Sequence, residues 1–192
     1  RTGHISNKSA PGVKLRKEAG EKEHLAILGL LNSSTACFWM KQVFHNKGDS
    51  TDQHGARTTG VPEFNTYEFT GTGMLAFPLS LTKPVDFAER IDSLASAFTA
   101  TLPQAIVQEQ IPTQSALDSA KEQARLLRGQ MVALQEELDW RSYKLYGLIE
   151  EDLCFAGSDI PDCEAGLRAF EIVLARRLAM GTSDSKWFER HK

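Results

Sequence analysis

Residues 115–148 read SALDSAKEQARLLRGQMVALQEELDWRSYKLYGL, and this stretch decides most of the fold. Its apolar side chains form two series with a spacing of seven, and the second series is displaced from the first by three positions. Such a repeat predicts one long α-helix with a continuous apolar stripe. Ser115 is expected to cap its start, and Gly147 is expected to end it. The two series are Leu117, Ala124, Met131 and Leu138, and Ala120, Leu127 and Leu134.

A second apolar stripe precedes this helix and begins just after Pro84. Its members recur at the spacing of one helix face, and two prolines bracket the segment that joins it to the long helix. Two striped helices joined by a loop predict a long antiparallel helical hairpin over residues 83–149. The stripe consists of Phe87, Ile91, Leu94 and Phe98, and the bracketing prolines are Pro103 and Pro112.

The N-terminal part predicts both helices and short strands. A helix is expected from Glu21, because Leu25, Leu28 and Leu31 share one face. The polar run 32–35 should interrupt it, and a second helix should run toward His45. Residues 13–15, 67–69 and 75–77 are predicted strands. With a further amphipathic helix after residue 166, the expected fold class is α+β and helix-rich.

Residues 68–79, EFTGTGMLAFPL, resemble a glycine-rich cofactor loop at first sight. A cofactor loop needs a buried strand before the glycines and a helix after them. Here residues 65–68 are too polar for a central strand, and Pro78 forbids a continuing helix. We therefore expect Gly71 and Gly73 to form a tight turn between two short strands.

Other enzyme and metal patterns are missing from the sequence. No two prolines are adjacent, which excludes the D/N-P-P-Y/F loop of adenine methylation, and neither a Walker loop nor HExxH is present. Cys37, Cys154 and Cys163 form no CxxC pair, which disfavours zinc or a disulfide framework and favours a reducing cytoplasm. No apolar run reaches the ~18 residues that a membrane span needs. We expect no catalytic, cofactor-binding or metal-binding residue in this chain, and no membrane association.

The charges are unevenly distributed along a chain whose net charge is −3. Residues 1–60 hold nine Lys or Arg and five Asp or Glu, whereas the remainder holds 13 and 20. A basic helix end and the basic loop after it could hydrogen-bond to DNA. The candidates for phosphate contact are Lys41, Lys47 and Arg57, and those for base-edge contact are Gln42, His45 and Asn46.

Four blocks of sequence carry a family resemblance that covers most of the chain. Together they resemble the PglX-type adenine-specific DNA methyltransferases of BREX type 2, or phage growth limitation, systems. Leu31-Asn32-Ser33 also resembles an element of target-recognition domains in type I specificity subunits and type IIG enzymes. The blocks are HLAILGLLNSSTACFWMKQVFHNKG (24–48), YEFTGTGMLAFPL (67–79), EELDWRSYKLYGL (136–148), and RAFEIVLARRLAMG (168–181) with WFERH (187–191).

The resemblance implies a recognition-and-spacer piece of a longer enzyme. Residues 1–82 would be part of a target-recognition domain, 83–149 a hairpin spacer, and 150–192 the start of a C-terminal extension. The expected partners are double-stranded DNA, the missing methyltransferase domain, which would use S-adenosylmethionine, and other phage-defence proteins. The alternative that the residues leave open is a helical dimerisation or scaffold module that does not bind DNA.

Overall fold

A computed structural model describes residues 12–44, 67–109, 111–157, 160–161 and 169–190. Within these ranges every regular element is a helix, and no strand or sheet is present. The predicted α+β class is therefore wrong, although the expectation of a helix-rich chain holds. The helices are α1 (Glu21–Leu31), α2 (Ser34–Val43), α3 (Gly71–Leu75), α4 (Val85–Ala100), α5 (Pro103–Glu109), α6 (Gln114–Leu145), α7 (Ala169–Ala179) and α8 (Trp187–Arg190).

None of the three predicted strands is present: residues 67–69 show only an isolated bridge at Tyr67, and for residues 75–77 the reason is local. Residues 71–75 form helix α3, because the Thr70 hydroxyl accepts a hydrogen bond from the Gly73 N–H at 3.1 Å and so caps a helical turn. Leu75 is the last residue of that helix and cannot begin a strand. Residues 13–15 are irregular, and no described segment pairs with them.

The chain divides into two compact units, residues 1–83 and 84–192. In the first unit α1 begins at Glu21, as predicted. The Glu23 carboxylate accepts a hydrogen bond from the Gly20 N–H at 3.1 Å and pairs with Arg16 at 2.8 Å. These contacts satisfy a donor that the first helical turn leaves open. The buried apolar side chains of this unit are Leu25, Ala26, Leu30, Ala36, Phe44 and Phe77.

In the second unit α4 packs against α6 and forms the predicted antiparallel hairpin. Phe87, near the start of α4, packs on Leu134 and Leu138, near the end of α6, so the two helices run in opposite directions. Ile91 and Leu94 of the predicted stripe join this core. The heptad pattern is thus used for packing inside the chain along this part of α6.

The start of α6 differs slightly from the prediction, and its end agrees with it. The helix begins at Gln114, and the Thr113 hydroxyl, not that of Ser115, accepts the capping hydrogen bond from the Ala116 N–H at 3.2 Å. At the other end Gly147 has φ of +67°, as expected for a residue that ends a helix in the left-handed conformation. The Gly147 and Leu148 N–H groups donate to the Lys144 and Tyr143 carbonyls. Among the described helices, including the 32-residue α6, none is both long enough and apolar enough to cross a membrane.

Candidate nucleic-acid interface

The corner between α1 and α2 is built by Asn32 and Ser33. Ser33 is wholly buried, and its hydroxyl donates to the Leu30 carbonyl at 2.7 Å while accepting from the Ala36 N–H at 3.2 Å. The Asn32 amide donates to the Leu28 carbonyl at 2.9 Å. The side chains of this short segment therefore hydrogen-bond to backbone carbonyls at the end of α1 and to a backbone N–H at the start of α2. The Leu-Asn-Ser element serves here as a structural joint that fixes how α2 leaves α1.

Aromatic contacts fix which face of α2 points outward. The Trp39 ring meets Phe77 edge-on at 5.1 Å and Phe44 at 6.1 Å between ring centroids. Phe44 in turn meets Phe69 at 5.2 Å. Together with buried Ala36, these contacts hold one side of α2 against its own unit.

The structure places two of the six predicted DNA-binding residues. Lys41 and Gln42 lie in the last turn of α2, and both are exposed. No acidic side chain occurs within α2 itself. His45, Asn46, Lys47 and Arg57 lie outside the described residues, so their roles stay predictions. Phe38 is a strongly exposed neighbour of Lys41 on the same helix, and it was not among the predicted site residues.

The glycine pair near residue 72 serves packing in this structure. A Cβ atom on Gly73 would lie 2.4 Å from the Phe44 ring, whereas a Cβ on Gly71 would meet no described atom within 4 Å. The space beside Gly73 is thus filled by an aromatic side chain and is not open to a bound nucleoside. This local helix also replaces the tight turn that the sequence predicted between two strands.

Replacing Gly73 by alanine is expected to destabilise the first unit by about 1–3 kcal/mol. Phe44 cannot retreat easily, because it is buried between Trp39 and Phe69. Gly71→Ala is the matched control, and it should be neutral or slightly stabilising because alanine favours a helix. Urea unfolding of both variants measures the difference. Equal midpoints for Gly73→Ala and Gly71→Ala would contradict the role given to Gly73.

The first unit also contains an apolar groove of about 450 Å³. It runs between the segment 12–15, the α1 residues Ile27 and Leu31, and α3. Leu75 and Leu79 on its rim are exposed. The lining offers apolar contact and few polar groups for orienting a ligand, so it does not resemble a catalytic pocket.

The second unit contains a buried ion pair between α6 and α7. The Arg176 guanidinium donates to one Glu137 carboxylate oxygen at 2.6 Å, and the Phe155 N–H donates to the other at 2.6 Å. The side chain of Glu137 is 1% exposed and that of Arg176 is 16% exposed. Arg176 also lies over the Phe155 ring, 5.2 Å from its centroid. Every oxygen of the buried carboxylate has a partner, as a buried charge requires.

Two of the three cysteines, Cys37 and Cys154, lie in the part of the chain that the structure describes. Desolvation by burial raises the pKa of the Cys154 thiol to about 11, so the thiol stays protonated and is a poor nucleophile near neutral pH. Cys37 is exposed, and Cys163 lies outside the described residues. In the part of the chain that the structure describes, no three His, Cys, Asp or Glu side chains are grouped to hold a metal ion.

Comparison with known proteins identifies one domain family and one extensive relative. Residues 131–192 match a domain of unknown function, DUF7008. The whole chain is similar to the adenine-specific methyltransferase PglX of Streptomyces coelicolor, with 44% identity over 196 aligned residues. This alignment covers 100% of the chain but only 16% of the relative. No solved structure matches the chain.

Proposed function

Because this chain is a PglX-type segment, homologous along its whole length to part of an adenine-specific methyltransferase, we propose that it recognises DNA for such an enzyme in phage defence. The segment supplies contacts that hold the duplex and help to select the site. It supplies no catalytic residue. Methyl transfer from S-adenosylmethionine to the exocyclic N6 of adenine belongs to other parts of the enzyme, after the base has been flipped out of the duplex.

One observation carries this proposal: α2 presents Lys41 and Gln42 side by side on a fixed, exposed surface. A lysine is a donor for phosphate oxygens, and a glutamine can pair with base edges in the major groove. The Ser33 corner and the Trp39 contacts hold the helix that bears them. A preorganised helix loses little conformational freedom when it meets DNA, which favours binding.

Lys41→Ala is expected to weaken the binding of the chain to duplex DNA of any sequence. Loss of one phosphate contact should reduce the slope of log affinity against log salt by about 1. The measurement is a fluorescence-anisotropy titration with a short random-sequence duplex between about 50 and 200 mM salt. Lys121→Ala, which removes an exposed lysine from α6 in the second unit, is the matched control.

Two results would contradict this assignment. The first is an unchanged salt slope for Lys41→Ala, and the second is an equal loss in Lys121→Ala. Gln42→Ala removes a neutral side chain and should leave the slope unaltered. A chain that does not bind DNA and sediments as a dimer would support the scaffold alternative instead. The exposed Leu126 of α6 is one apolar side chain that such a dimer could cover.

A further inference from the structure

Among the Phe, Tyr and Trp side chains in the described part of the first unit, that of Phe38 is the most exposed, at 68%. Its neighbour Trp39 points inward and packs edge-on against Phe77 and Phe44. On α2, therefore, Trp39 is half-buried against its own unit, whereas the preceding residue, Phe38, is exposed to solvent. A single exposed apolar side chain is common on protein surfaces, so the residues that share its helix face indicate what Phe38 can contact.

Helix geometry puts Phe38 on the same face as the two placed DNA candidates. With about 100° of rotation per residue, Lys41 and Gln42 lie about 60° and about 40° from Phe38 around the axis. Ala36 and Met40 lie about 160° away, on the side that is buried or half-buried. The outer face of α2 thus consists of Phe38, Lys41 and Gln42, with Ser34 one turn earlier.

This combination of side chains suits one kind of occupant. The outer face of α2 carries a cation, an amide and an aromatic ring, and no carboxylate. Cationic and amide groups complement phosphates and base edges, and an apolar ring complements the thymine methyl groups that line the major groove. A purely apolar protein surface would instead leave Lys41 and Gln42 without partners at the centre of the contact.

Resting on the DNA-recognition function proposed above, we propose that Phe38 packs against base edges in the major groove of bound duplex DNA, where thymine presents a methyl group. Lys41 then holds a phosphate on one side of the ring, and Gln42 faces a base edge on the other. Phe38 adds apolar contact that does not depend on salt. On the outer face of α2, Lys41 thus positions the helix on the DNA backbone, and Phe38 and Gln42 contact the bases.

Phe38→Ala is expected to weaken duplex binding several-fold, because it removes an apolar contact with thymine methyl groups in the major groove. The salt slope should stay unchanged, since no charge is removed. Phe38→Trp should keep most of the affinity. Leu79→Ala removes an exposed apolar side chain of the same unit that does not belong to α2, and it should leave the affinity for DNA unchanged. The probe is the same random-sequence duplex.

The outcomes separate this inference from the function on which it rests. Full affinity in Phe38→Ala, together with a reduced slope in Lys41→Ala, overturns the role of Phe38 and leaves DNA recognition standing. Failure of the wild-type chain to bind the duplex overturns both. A clear fall in melting temperature for Phe38→Ala without DNA overturns the inference too, because it would show that the ring packs against protein.

A second measurement does not depend on replacing Phe38. Cys37 is exposed and directly precedes it, so bound DNA should slow alkylation of the Cys37 thiol several-fold. Cys154, whose thiol is partly buried, serves as the internal reference and should react slowly with or without DNA. Peptide mapping by mass spectrometry measures both rates. An alkylation rate at Cys37 that DNA leaves unchanged overturns the proposal.

Discussion

Glu137→Ala is expected to destabilise the second unit by about 3–5 kcal/mol, which is typical for removing one partner of a buried ion pair. Arg176 would keep its position over the Phe155 ring, but it would lose the carboxylate that compensates its charge. The Phe155 N–H would lose its acceptor in the same substitution. A buried guanidinium and an unpaired N–H both raise the free energy of the folded state.

The matched control for Glu137 is an exposed ion pair nearby. Glu151→Ala removes the partner of Arg177, whose guanidinium lies 2.7 Å from the Glu151 carboxylate in a solvated position. Such pairs contribute about 0–1 kcal/mol, so this variant should unfold close to wild type. Urea unfolding followed by far-ultraviolet circular dichroism measures both variants. If Glu137→Ala unfolds at the same midpoint as Glu151→Ala, the ion pair between α6 and α7 does not hold the unit together.

Glu137→Gln tests whether charge or hydrogen bonding matters more. A glutamine oxygen can still accept from Phe155 N–H, but the amide offers no charge to Arg176. We expect a loss smaller than that of Glu137→Ala, because only the charge-assisted part of the network is removed. A loss as large as that of the alanine variant would assign the whole effect to charge.

Leu138→Ala is expected to cost about 2–5 kcal/mol through the cavity that it leaves between α4 and α6. Leu138 is 1% exposed and packs with Phe87 and Leu134 at the centre of the hairpin. Protein interiors are close-packed, so the neighbouring side chains fill such a space only in part. Chemical denaturation of the chain measures the loss.

Leu126→Ala provides a control of the same residue type on the same helix. Leu126 is 45% exposed, and its removal should change the unfolding free energy by about 0.5 kcal/mol or less. Alanine also has a slightly higher helix propensity than leucine, which limits any loss. Should both leucines cost the same, the α4–α6 contact would not be the core of this unit.

The heptad repeat predicted the long helix α6, because an apolar stripe that is periodic over many turns is typical of a helix. The stripe alone left open whether it packs on α4 or on another chain. The short elements were harder to predict. The pair Gly71 and Gly73 predicted a tight turn, yet one hydroxyl, that of Thr70, caps a short helix there. Ser115 was a good cap by residue type, but Thr113 lies two residues earlier and is an equally good one.

Neither the buried ion pair nor the exposure of Phe38 could be predicted from the local sequence pattern. Glu137 and Arg176 are 39 residues apart, and nothing near either residue indicates that they meet. Phe38 was missed for a different reason: α2 is apolar at nearly every position from Ala36 to Met40, so its periodicity does not say which side is buried. Contacts made by Trp39 decide that question, and they depend on Phe77 in a distant part of the sequence.

The tight corner at Ser33 also bears on how new specificities can evolve. Any change in the direction of α2 would break the hydroxyl bonds to Leu30 and Ala36 inside a fully buried site. Mutation can therefore exchange the side chains at positions 38, 41 and 42 more cheaply than it can re-aim the helix. Under the DNA-recognition function proposed above, we expect diversification among such segments to concentrate at these three positions, and a combinatorial library varied there is the starting point for changing the target site.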